Sequence, residues 1–423
     1  MIKVVVVDGF SSGKFVAKKL SDKGCMLMHV ASSGDLDSYY YKDFDCSLYE
    51  QLIVNADVAD TLTTVEWFKP HCIIAGAETG VLLADLLNAH LQLPYRNDIH
   101  QSNARRNKYD MIQCITRAQL PAARQFAADT WRLAEGWISD HGRFPVVIKP
   151  LESAGADGVF ICDDMLACKV AVGKLLGTTN KLNIANTQVL IQEYLAGVEY
   201  VVNMVSLDGQ QLVTEVVKYQ KQRTETGGIL YDIDELISAD SPEYAVLVDY
   251  TRAVVLSLGI RNGPSHAEVM LTAGGPKLVE IAARTDGILR PDVSKQTTGL
   301  GQIEAVVLSV TAPDVFVQLL ARPFDYRLLR HTYNVCLISH VEGRFKKDAF
   351  LAELFKLESF FDAVFYVDDG QLVGATQDVF SQPGTVYLVH ADSEVIAADY
   401  HRIRVLEVQG VYLAGAHGVV PGL

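Results

Sequence analysis

Two glutamates on either side of a glycine turn are the residues of this sequence best suited to bind a cation. Glu268 and Glu280 lie in alternating apolar and polar runs around a turn centred on Gly274, which predicts a β-hairpin. In that register Glu268 faces Glu280, and Val269 faces Val279. Facing residues have Cβ atoms roughly 4.5–5.5 Å apart, a distance at which like charges repel. A shared proton, a cationic side chain or a metal ion would relieve the repulsion, and Mg²⁺ held by two carboxylates and phosphate oxygens suits the pair. A solvated hairpin face is the alternative.

The same register predicts the surroundings of the two glutamates. One face of the hairpin is apolar and consists of Ala267, Val269, Leu271, Val279 and Ile281. On the other face His266 lies opposite Ala282. Arg284, four residues after Glu280, reaches the same face if the strand ends before it. We therefore expect this second face to be polar.

A lysine on a predicted strand, Lys149, is followed at once by a turn of small residues. The turn contains Ser153, Ala154, Gly155 and Gly158. Small residues let backbone amides approach phosphate oxygens closely, and the lysine supplies positive charge. Because no Gly-Lys-Ser/Thr follows, the segment is not a Walker A loop. A plain hairpin turn is the alternative interpretation.

Two further glutamates bracket a bend. Glu193 closes a predicted strand, a bend with Tyr194, Leu195 and Gly197 follows, and Glu199 lies at the start of the next strand. Such a hinge offers backbone groups and a carboxylate to an adenine, and it places the second glutamate near ribose hydroxyls. Surface acids around a turn are the alternative.

Strands and helices alternate through the first hundred residues. Strands are predicted at residues 3–7, 25–31 and 71–75, and helices at residues 13–24, 59–68 and 81–91. This alternation is typical of parallel βαβ units with right-handed crossovers. Residues 8–13 occupy the place of a Rossmann phosphate loop, but with only two glycines and no acidic residue clearly placed for a ribose they do not predict a dinucleotide site. The loop still offers backbone N–H groups to an anion such as a carboxylate.

The pattern changes after Pro94. A helix at residues 107–120 carries Lys108 near its start, and the hairpin is preceded by a helix at residues 242–258. From about Asn334 the sequence predicts short strands with one helix, at residues 347–357. Residues 222–230 and 285–299 have the composition of polar loops, and we expect such loops to build a substrate pocket.

The composition narrows the class of protein. The 423 residues include 37 Lys and Arg against 51 Asp and Glu, for a formal charge of −14. Counterion release requires concentrated cations, so a nucleic-acid partner is not expected. No apolar run approaches the roughly 20 residues that span a bilayer, and a signal-peptide pattern is absent. Seven cysteines without a C-x-x-C pair fit reduced thiols, so we expect a cytoplasmic protein with no membrane partner.

In their order along the chain these motifs resemble those of the ATP-grasp superfamily. Within it, the segment from Gly263 to Glu268 and the Ala-Ala-Arg-Thr-Asp-Gly stretch that ends at Gly287 are similar to the L-amino acid ligase (dipeptide-forming) group of carboxylate–amine ligases. The resemblance implies an α/β and α+β chain with an N-terminal Rossmann-like α/β domain at 1–100. An ATP-grasp region would follow at 101–330, with its lid at about 125–195 and its catalytic core at about 196–330. A β-rich C-terminal segment would occupy 331–423.

The resemblance also implies roles for the residues that match. ATP would be bound by Lys108, Lys149, Ser153, Ala154, Gly155, Gly158, Glu193, Tyr194, Leu195 and Glu199. Glu268 and Glu280 would bind Mg²⁺, with Mn²⁺ as an alternative. Arg284 would hold the transferring phosphoryl group, Gly287 would lie against the substrate, and His266 would fill the space beside Ala282 or contact the acceptor. Many ATP-grasp enzymes have asparagine at the position of Ala282, so the number of metal ions stays open.

The implied activity is ATP-dependent formation of an amide bond between amino acids, or between an amino acid and another small acid. It would proceed through an acyl phosphate and release ADP and phosphate. The partners would be small carboxylates and amines, and homodimer formation stays open. The alternatives are an ATP-grasp ligase for another acid, as in purine or antibiotic synthesis, and a nucleotide-binding module without catalysis.

Overall fold

The computed structural model describes residues 1–36, 38–41, 43–153, 157–223, 229–288 and 290–414. The strands are β1 Lys3–Val7, β2 Met26–Ala31, β3 Gln51–Val54, β4 Cys72–Ala75, β5 Gln125–Ala128, β6 Val146–Pro150, β7 Phe160–Cys162, β8 Val189–Glu193, β9 Gly197–Leu207, β10 Gln210–Arg223, β11 Ile229–Leu236, β12 Gly263–Thr272, β13 Gly275–Ala282, β14 His331–Cys336, β15 Gly343–Phe345, β16 Phe360–Phe365, β17 Leu372–Val373, β18 Gly384–His390 and β19 Leu413–Ala414. The helices are α1 Gly13–Asp22, α2 Val58–Phe68, α3 Val81–His90, α4 Lys108–Arg117, α5 Trp131–His141, α6 Met165–Leu175, α7 Tyr244–Ser257, α8 Pro291–Thr297, α9 Gln302–Thr311, α10 Pro313–Leu320, α11 Lys347–Leu354 and α12 Ser393–Val408.

The chain divides into two compact units. The first comprises Met1–Ala127, Leu195–Val216 and Ala239–Arg327, and the second comprises Ala128–Tyr194, Val217–Ser238 and Leu328–Leu423. The three-part domain division expected from the sequence stays a prediction.

A parallel sheet with the order β3-β2-β1-β4 opens the first unit. Its central strand β1 is a run of buried valines, as expected for a strand covered on both faces. The predicted alternation of strands and helices is confirmed, whereas β3 was not predicted. This short edge strand exposes Leu52 and Val54, so it lacks the apolar signal of its neighbours. Because the chain leaves β1 toward β2 and returns to β4 on the other side, β1 and β4 enclose a topological switch point.

The second sheet of the first unit has the order β13-β12-β9, with antiparallel neighbours. Helices α1 and α9 contribute to one apolar core that also contains Val205 of β9 and Leu212 of β10. This core fixes the sheet against the N-terminal strands of the same unit. The polar face of the sheet is therefore held in a rigid frame.

The second unit contains a sheet in which β6 lies between β7 and β8, and another with the order β11-β14-β18-β16. The prediction of one helix after Asn334 was wrong, because α12 follows α11 in this segment. Ile396 and Ile403 of α12 are fully buried against the β14 and β18 residues Val335 and Leu388. Their spacing of seven residues is helical, so the sequence carried a signal for this helix.

The expected loop at residues 285–299 is also partly helical. Pro291 begins α8, a position that proline favours because the first helical N–H needs no partner. The other expected loop, at residues 222–230, is described only at its two ends, because residues 224–228 lie outside the described residues. Strand β10 ends at Arg223, and strand β11 begins at Ile229. Within the described ranges, no helix has the length and apolar character needed to cross a membrane.

Candidate active site

The hairpin of β12 and β13 brings the two predicted metal ligands face to face. Glu268 pairs with Glu280 and His266 pairs with Ala282, which confirms this part of the predicted register. The predicted pairing of Val269 with Val279 was wrong, because the register shifts after Glu268 and Val269 faces the next residue back along β13. A β-bulge of this kind leaves one residue of a strand unpaired.

The bulge also corrects the predicted apolar face. Leu278 is fully buried, whereas Val279 is only partly buried. The extra residue therefore lets the buried side chain of β13 fall one position earlier than a regular hairpin would place it. Near Glu280 the predicted alternation is intact, and the acidic pair is preserved.

Several polar residues of the first unit lie on one face of the β13-β12-β9 sheet. His266 pairs with Asn203, and Glu199 pairs with Met270, two residues along the strand from Glu268. Because side chains alternate along a strand, Glu199, Asn203, His266 and Glu268 share a face. The predicted ribose-binding and metal-binding glutamates are thus on the same side of one sheet.

Lys108 lies beside the acidic pair. Its Nζ is 2.9 Å from Oε2 of Glu280, and its side chain is 7% exposed. The lysine is the first residue of α4, where the Asn107 side chain accepts hydrogen bonds from the N–H groups of Tyr109 and Asp110. This cap fixes the start of the helix and so the origin of the lysine side chain. The structure thus supplies a cationic side chain, one of the three anticipated ways to relieve the repulsion.

The donor set fits Mg²⁺ bound to a phosphorylated substrate. Within the described ranges, no group of three or more His, Cys, Asp or Glu residues is arranged to hold a metal ion. Glu268 and Glu280 provide carboxylate oxygens, and Mg²⁺ characteristically uses one or two carboxylates together with substrate phosphates and water. A two-carboxylate site therefore suits a cation that arrives with a nucleotide.

A second charged cluster surrounds Glu78, in the turn that follows β4. Arg106 Nη1 donates to Oε1 of Glu78, and Arg284 Nε donates to its Oε2 at 2.9 Å. Burial alone would raise the pKa of the Glu78 carboxyl, but Arg106 and Arg284 outweigh it and lower that pKa. Glu78 is therefore an ionised carboxylate between two guanidinium groups. The strand β13 ends at Ala282, so Arg284 lies just beyond it as expected.

His266 is held by three polar neighbours. Its Nδ1 lies 2.9 Å from Oδ1 of Asn203 and 3.5 Å from Oδ2 of Asp286, and its Nε2 lies 3.7 Å from Oε1 of Glu268. Burial lowers the pKa of the ring, but the carboxylates of Asp286 and Glu268 outweigh it, so the pKa of His266 is raised. Because an amide oxygen only accepts, Nδ1 carries a proton and Nε2 faces Glu268.

Behind His266 lies a buried carboxyl group, Glu215 of β10. Ser294 Oγ donates to its Oε1 at 2.6 Å, and Asn203 Nδ2 donates to its Oε2 at 3.3 Å and to Oδ2 of Asp286 at 3.1 Å. Burial raises the pKa of Glu215 to about 7, and the nearby Asp286 adds to the effect. Glu215 therefore changes its charge near neutral pH.

The loop after β1 contacts the loop after β13. Ser12 Oγ lies 2.7 Å from the Thr285 hydroxyl, and Ser11 Oγ donates to the Gly287 carbonyl oxygen at 3.2 Å. Ser11 has a φ of +50°, which is uncommon for a residue with a side chain. The predicted substrate residue Gly287 thus lies beside the loop that the sequence suggested for an anion.

In the second unit the ATP-binding predictions fall on β6 and β8. Lys149 pairs with Leu190, and Val147 pairs with Gln192, so the lysine and the glutamine share a face of the sheet. Glu193 pairs with Val146 and lies on the opposite face. Lys149 and Gln192 are 4% and 3% exposed. The register therefore adds Gln192 to the candidate nucleotide-binding residues.

The small-residue turn after β6 is partly described. Ser153 is buried, and Gly158 has a φ of +70° with a Pro150 carbon 2.9 Å from the place of a Cβ. Only glycine fits this conformation and this space. Ala154 and Gly155 lie outside the described residues. In the hinge after β8, Tyr194 is 42% exposed, whereas Leu195 at the start of the next segment is buried.

Several residues around Glu78 and His266 in the first unit were not predicted as site residues from the sequence. Glu78 follows the carboxyl end of a parallel strand, which is a known position for ligand-binding side chains. Asn203 and Glu215 interrupt apolar strands and are almost completely buried, so a polar residue in an apolar run was the available signal. Asp286 and Arg106 were visible only as neighbours of predicted residues.

The chain is similar to known proteins, in one case over nearly its whole length. A family model described as an ATP-grasp domain matches residues 142–292. Dapdiamide A synthase of Enterobacter agglomerans is 30% identical over 413 residues, with 97% of each chain covered. An L-arginine-specific L-amino acid ligase of Bacillus subtilis is 26% identical over 34% of this chain and 35% of its own length.

A solved structure supports the same assignment of the fold. The L-amino acid ligase of Bacillus licheniformis has a TM-score of 0.73 against this chain at 18% identity, with 96% of this chain and 97% of the other covered. At that identity the likeness concerns the fold. The identity to dapdiamide A synthase extends over nearly the whole of both chains, so it carries the family assignment. The chain therefore belongs to the ATP-grasp family of ATP-dependent carboxylate–amine ligases.

Proposed function

We propose that the protein joins the carboxylate of one amino acid, or of another small acid, to the amino group of a second amino acid. The observation that carries this proposal is that Glu268 faces Glu280 and that Lys108 forms an ion pair with Glu280. The cluster around Glu78, which includes Arg284, lies in the same unit. This arrangement suits a magnesium-bound triphosphate that reacts with an anion. The names of the relatives, dapdiamide A synthase and L-arginine-specific L-amino acid ligase, support amino acid substrates.

The proposed reaction has two steps. A carboxylate oxygen of the donor acid forms a bond to the γ-phosphorus of ATP, the bond from that phosphorus to the bridging oxygen breaks, and ADP leaves. The amine nitrogen of the acceptor then forms a bond to the acyl carbon, the carbon–oxygen bond to phosphate breaks, and phosphate leaves. The proton lost by the amine passes to phosphate or solvent. Phosphoryl transfer of this type depends on positioning and on neutralising charge.

The candidate site residues of the first unit have separate proposed tasks in this reaction. Glu268 and Glu280 hold Mg²⁺, which would neutralise charge on the triphosphate. Lys108, which contacts Glu280, would turn to a phosphate oxygen when the nucleotide binds. Arg284 binds the transferring phosphoryl group. His266, fixed by Asn203, faces the acceptor.

The predicted nucleotide contacts keep their roles as proposals. Lys149, Ser153, Gly158 and the loop between them would bind phosphate oxygens. The adenosine part of ATP would be bound by Glu193, Tyr194, Leu195 and Glu199. Gln192 joins this set because it shares a face with Lys149. Its amide group donates and accepts hydrogen bonds, as the edge of adenine requires.

A substrate screen tests the proposal. The purified protein is given Mg²⁺, ATP, an amino acid or another small carboxylic acid as donor, and a proteinogenic amino acid as acceptor, and phosphate release is measured together with mass spectrometry of the products. We expect ADP and phosphate only when a donor and an acceptor are both present, with the mass of a new amide. Glu280→Gln should reduce the rate by at least about a hundredfold while leaving the fold intact. ATP binding without turnover for every pair would contradict the proposal.

A further inference from the structure

The cluster around Glu78 brings two arginine side chains to one carboxylate. One carboxylate accepts hydrogen bonds from two guanidinium groups, Arg106 on Oε1 and Arg284 on Oε2. The three side chains are between 5% and 16% exposed, so water screens them little. From outside the cluster, the carboxylates of Asp286, Glu280 and Glu268 act on Arg284, and Lys108 acts on Glu78. The cluster therefore offers a ligand two guanidinium groups held side by side by one carboxylate.

The neighbouring arginine shows what a purely structural arginine looks like in this chain. Arg105 is fully buried and donates to Asp85 from Nε and Nη2, to the Leu258 carbonyl from Nη1, and to the Asp98 carbonyl from Nη2. Every nitrogen of this guanidinium group therefore has a protein acceptor. Such an arginine connects segments of the fold, and each of its guanidinium nitrogens already donates to a protein acceptor rather than to a ligand.

Arg106, the next residue, is different. Glu78 is the one hydrogen-bond acceptor of its side chain among the described residues, and it engages Nη1. Arg284 uses Nε on Glu78 and Nη1 on the Thr285 carbonyl. In the described part of the chain, Nε and Nη2 of Arg106 and Nη2 of Arg284 thus have no acceptor. None of these nitrogens is among the buried unpartnered side-chain atoms of the described residues, so solvent reaches them and a ligand can take its place.

The position of the cluster in the fold also favours a ligand. Glu78 follows β4, and residues 8–12 follow β1, so both segments lie at the carboxyl ends of neighbouring strands where the strand order reverses. Ligands of open parallel sheets bind in the crevice outside such a switch point. Ser11 and Ser12 in the loop after β1 contact the loop that follows Arg284.

We propose that Arg106 and Arg284, both oriented by Glu78, bind the carboxylate of the donor acid before it attacks ATP. This inference rests on the proposed function and assigns Arg106 as a substrate-binding residue. A carboxylate has two acceptor oxygens, one for each guanidinium group, and charge-assisted hydrogen bonds of this kind are stronger than neutral ones. Holding it in one orientation aligns an oxygen for attack on phosphorus. Glu78 is then a positioning residue, which keeps two like charges side by side.

Kinetics of Arg106 variants with the best donor and acceptor of the screen test the inference. Arg106→Met should raise the KM of the donor at least about tenfold, the loss of one charge-assisted hydrogen bond. The KM of the acceptor and the Kd of a non-hydrolysable ATP analogue should change by less than about twofold. Arg106→Lys keeps the charge but not the planar donors, so it should restore part of the donor affinity. Glu78→Gln should raise the donor KM as well.

Two controls separate this role from a structural one. Lys18→Ala, on an exposed pair with Asp22, should leave every parameter unchanged. Arg105→Met should lower the melting temperature far more than Arg106→Met, because Arg105 is the fully satisfied arginine. If Arg106→Met leaves the donor KM unchanged, or raises the acceptor KM instead, the inference is wrong although the ligase activity stands. If the wild-type protein turns over no pair, the proposed function fails and this inference fails with it.

Discussion

The ammonium group of Lys108 lies 2.9 Å from Oε2 of Glu280, and Glu280 faces Glu268 across the β12–β13 hairpin. The lysine therefore supplies positive charge where two carboxylates would otherwise repel one another. A divalent cation bound to the same carboxylates would make this ammonium redundant at Glu280 and free it for a phosphate oxygen. Binding of the cation and release of the lysine are thus linked by charge.

This linkage predicts how Lys108→Met responds to magnesium. Without Mg²⁺ the variant should lose about 2 kcal/mol of unfolding free energy, because one partner of a largely buried ion pair is gone. Saturating Mg²⁺ should narrow the difference from wild type, since the metal ion replaces the ammonium. Urea denaturation of both proteins with and without Mg²⁺ measures the effect, with Lys18→Ala as the surface control. An equal loss under both conditions would contradict the linkage.

The register of β6 and β8 predicts that Gln192 contributes more to ATP binding than Glu193. Gln192 shares a face with Lys149, whereas Glu193 lies on the other face. Gln192→Ala should raise the Kd for ATP about tenfold, the equivalent of one buried hydrogen bond, and Glu193→Ala should change it by less than about threefold. Calorimetric titration with a non-hydrolysable ATP analogue distinguishes the two. A larger change in Kd for Glu193→Ala than for Gln192→Ala would contradict this prediction and would favour the ATP-binding role expected for Glu193 from the sequence.

Glu215 predicts a pH dependence of stability. Burial raises the pKa of Glu215 in the folded protein to about 7; the nearby carboxylates of Asp286 and Glu304 add to this rise, and hydrogen bonds from Ser294 and Asn203 oppose it. The unfolded chain loses this proton near its ordinary pKa, so the folded state becomes relatively less stable as the pH rises toward 7. The wild-type protein should lose about 3 kcal/mol more than Glu215→Gln between pH 4.5 and pH 7.

Urea denaturation of the wild type and of Glu215→Gln at several pH values checks this expectation. The glutamine keeps the size of the side chain and cannot titrate, so other groups contribute equally to both curves. Parallel curves would show that Glu215 keeps an ordinary pKa in the folded protein.

His266 predicts a selective effect on the acceptor. Its ring is fixed by Asn203 and lies beside Glu268 and Asp286. His266→Ala should leave the Kd for ATP within about twofold of wild type and should raise the acceptor KM. Asn203→Leu should have the same effect in weaker form, because the ring remains but loses its hydrogen bond. An unchanged acceptor KM and rate would remove the role of His266.

The hairpin shows how far the sequence alone could lead. A turn centred on Gly274 predicts that Glu268 faces Glu280, but next to the turn Thr272 pairs with Gly275, one residue away from that register, and the bulge at Val279 restores the predicted pairing at Glu280. The bulge at Val279 was not predictable, since it depends on which side chain fits the core. The sequence pattern likewise predicted that a strand ends at Glu193, but the side chain that shares a face with Lys149 was identified only from the pairing of β8 with β6.

Tertiary contacts explain the larger gaps. The bond between Glu78 and Arg284 joins residues 206 positions apart, and no local pattern links them. The cluster of Asn203, Glu215 and Asp286 is also assembled from separate segments of the chain. In the sequence each of these residues is an isolated polar residue that belongs to no recognisable motif. Their common surroundings appear only when the strands are placed side by side.

The fate of a carboxylate oxygen tests the central claim most directly. A donor acid labelled with oxygen-18 in its carboxylate is turned over with the acceptor, ATP and Mg²⁺, and the phosphate released is examined by mass spectrometry. If the carboxylate attacks the γ-phosphoryl group, each phosphate released carries one labelled oxygen. Unlabelled phosphate, or label found in AMP, would contradict an acyl phosphate and with it the mechanism proposed for this site.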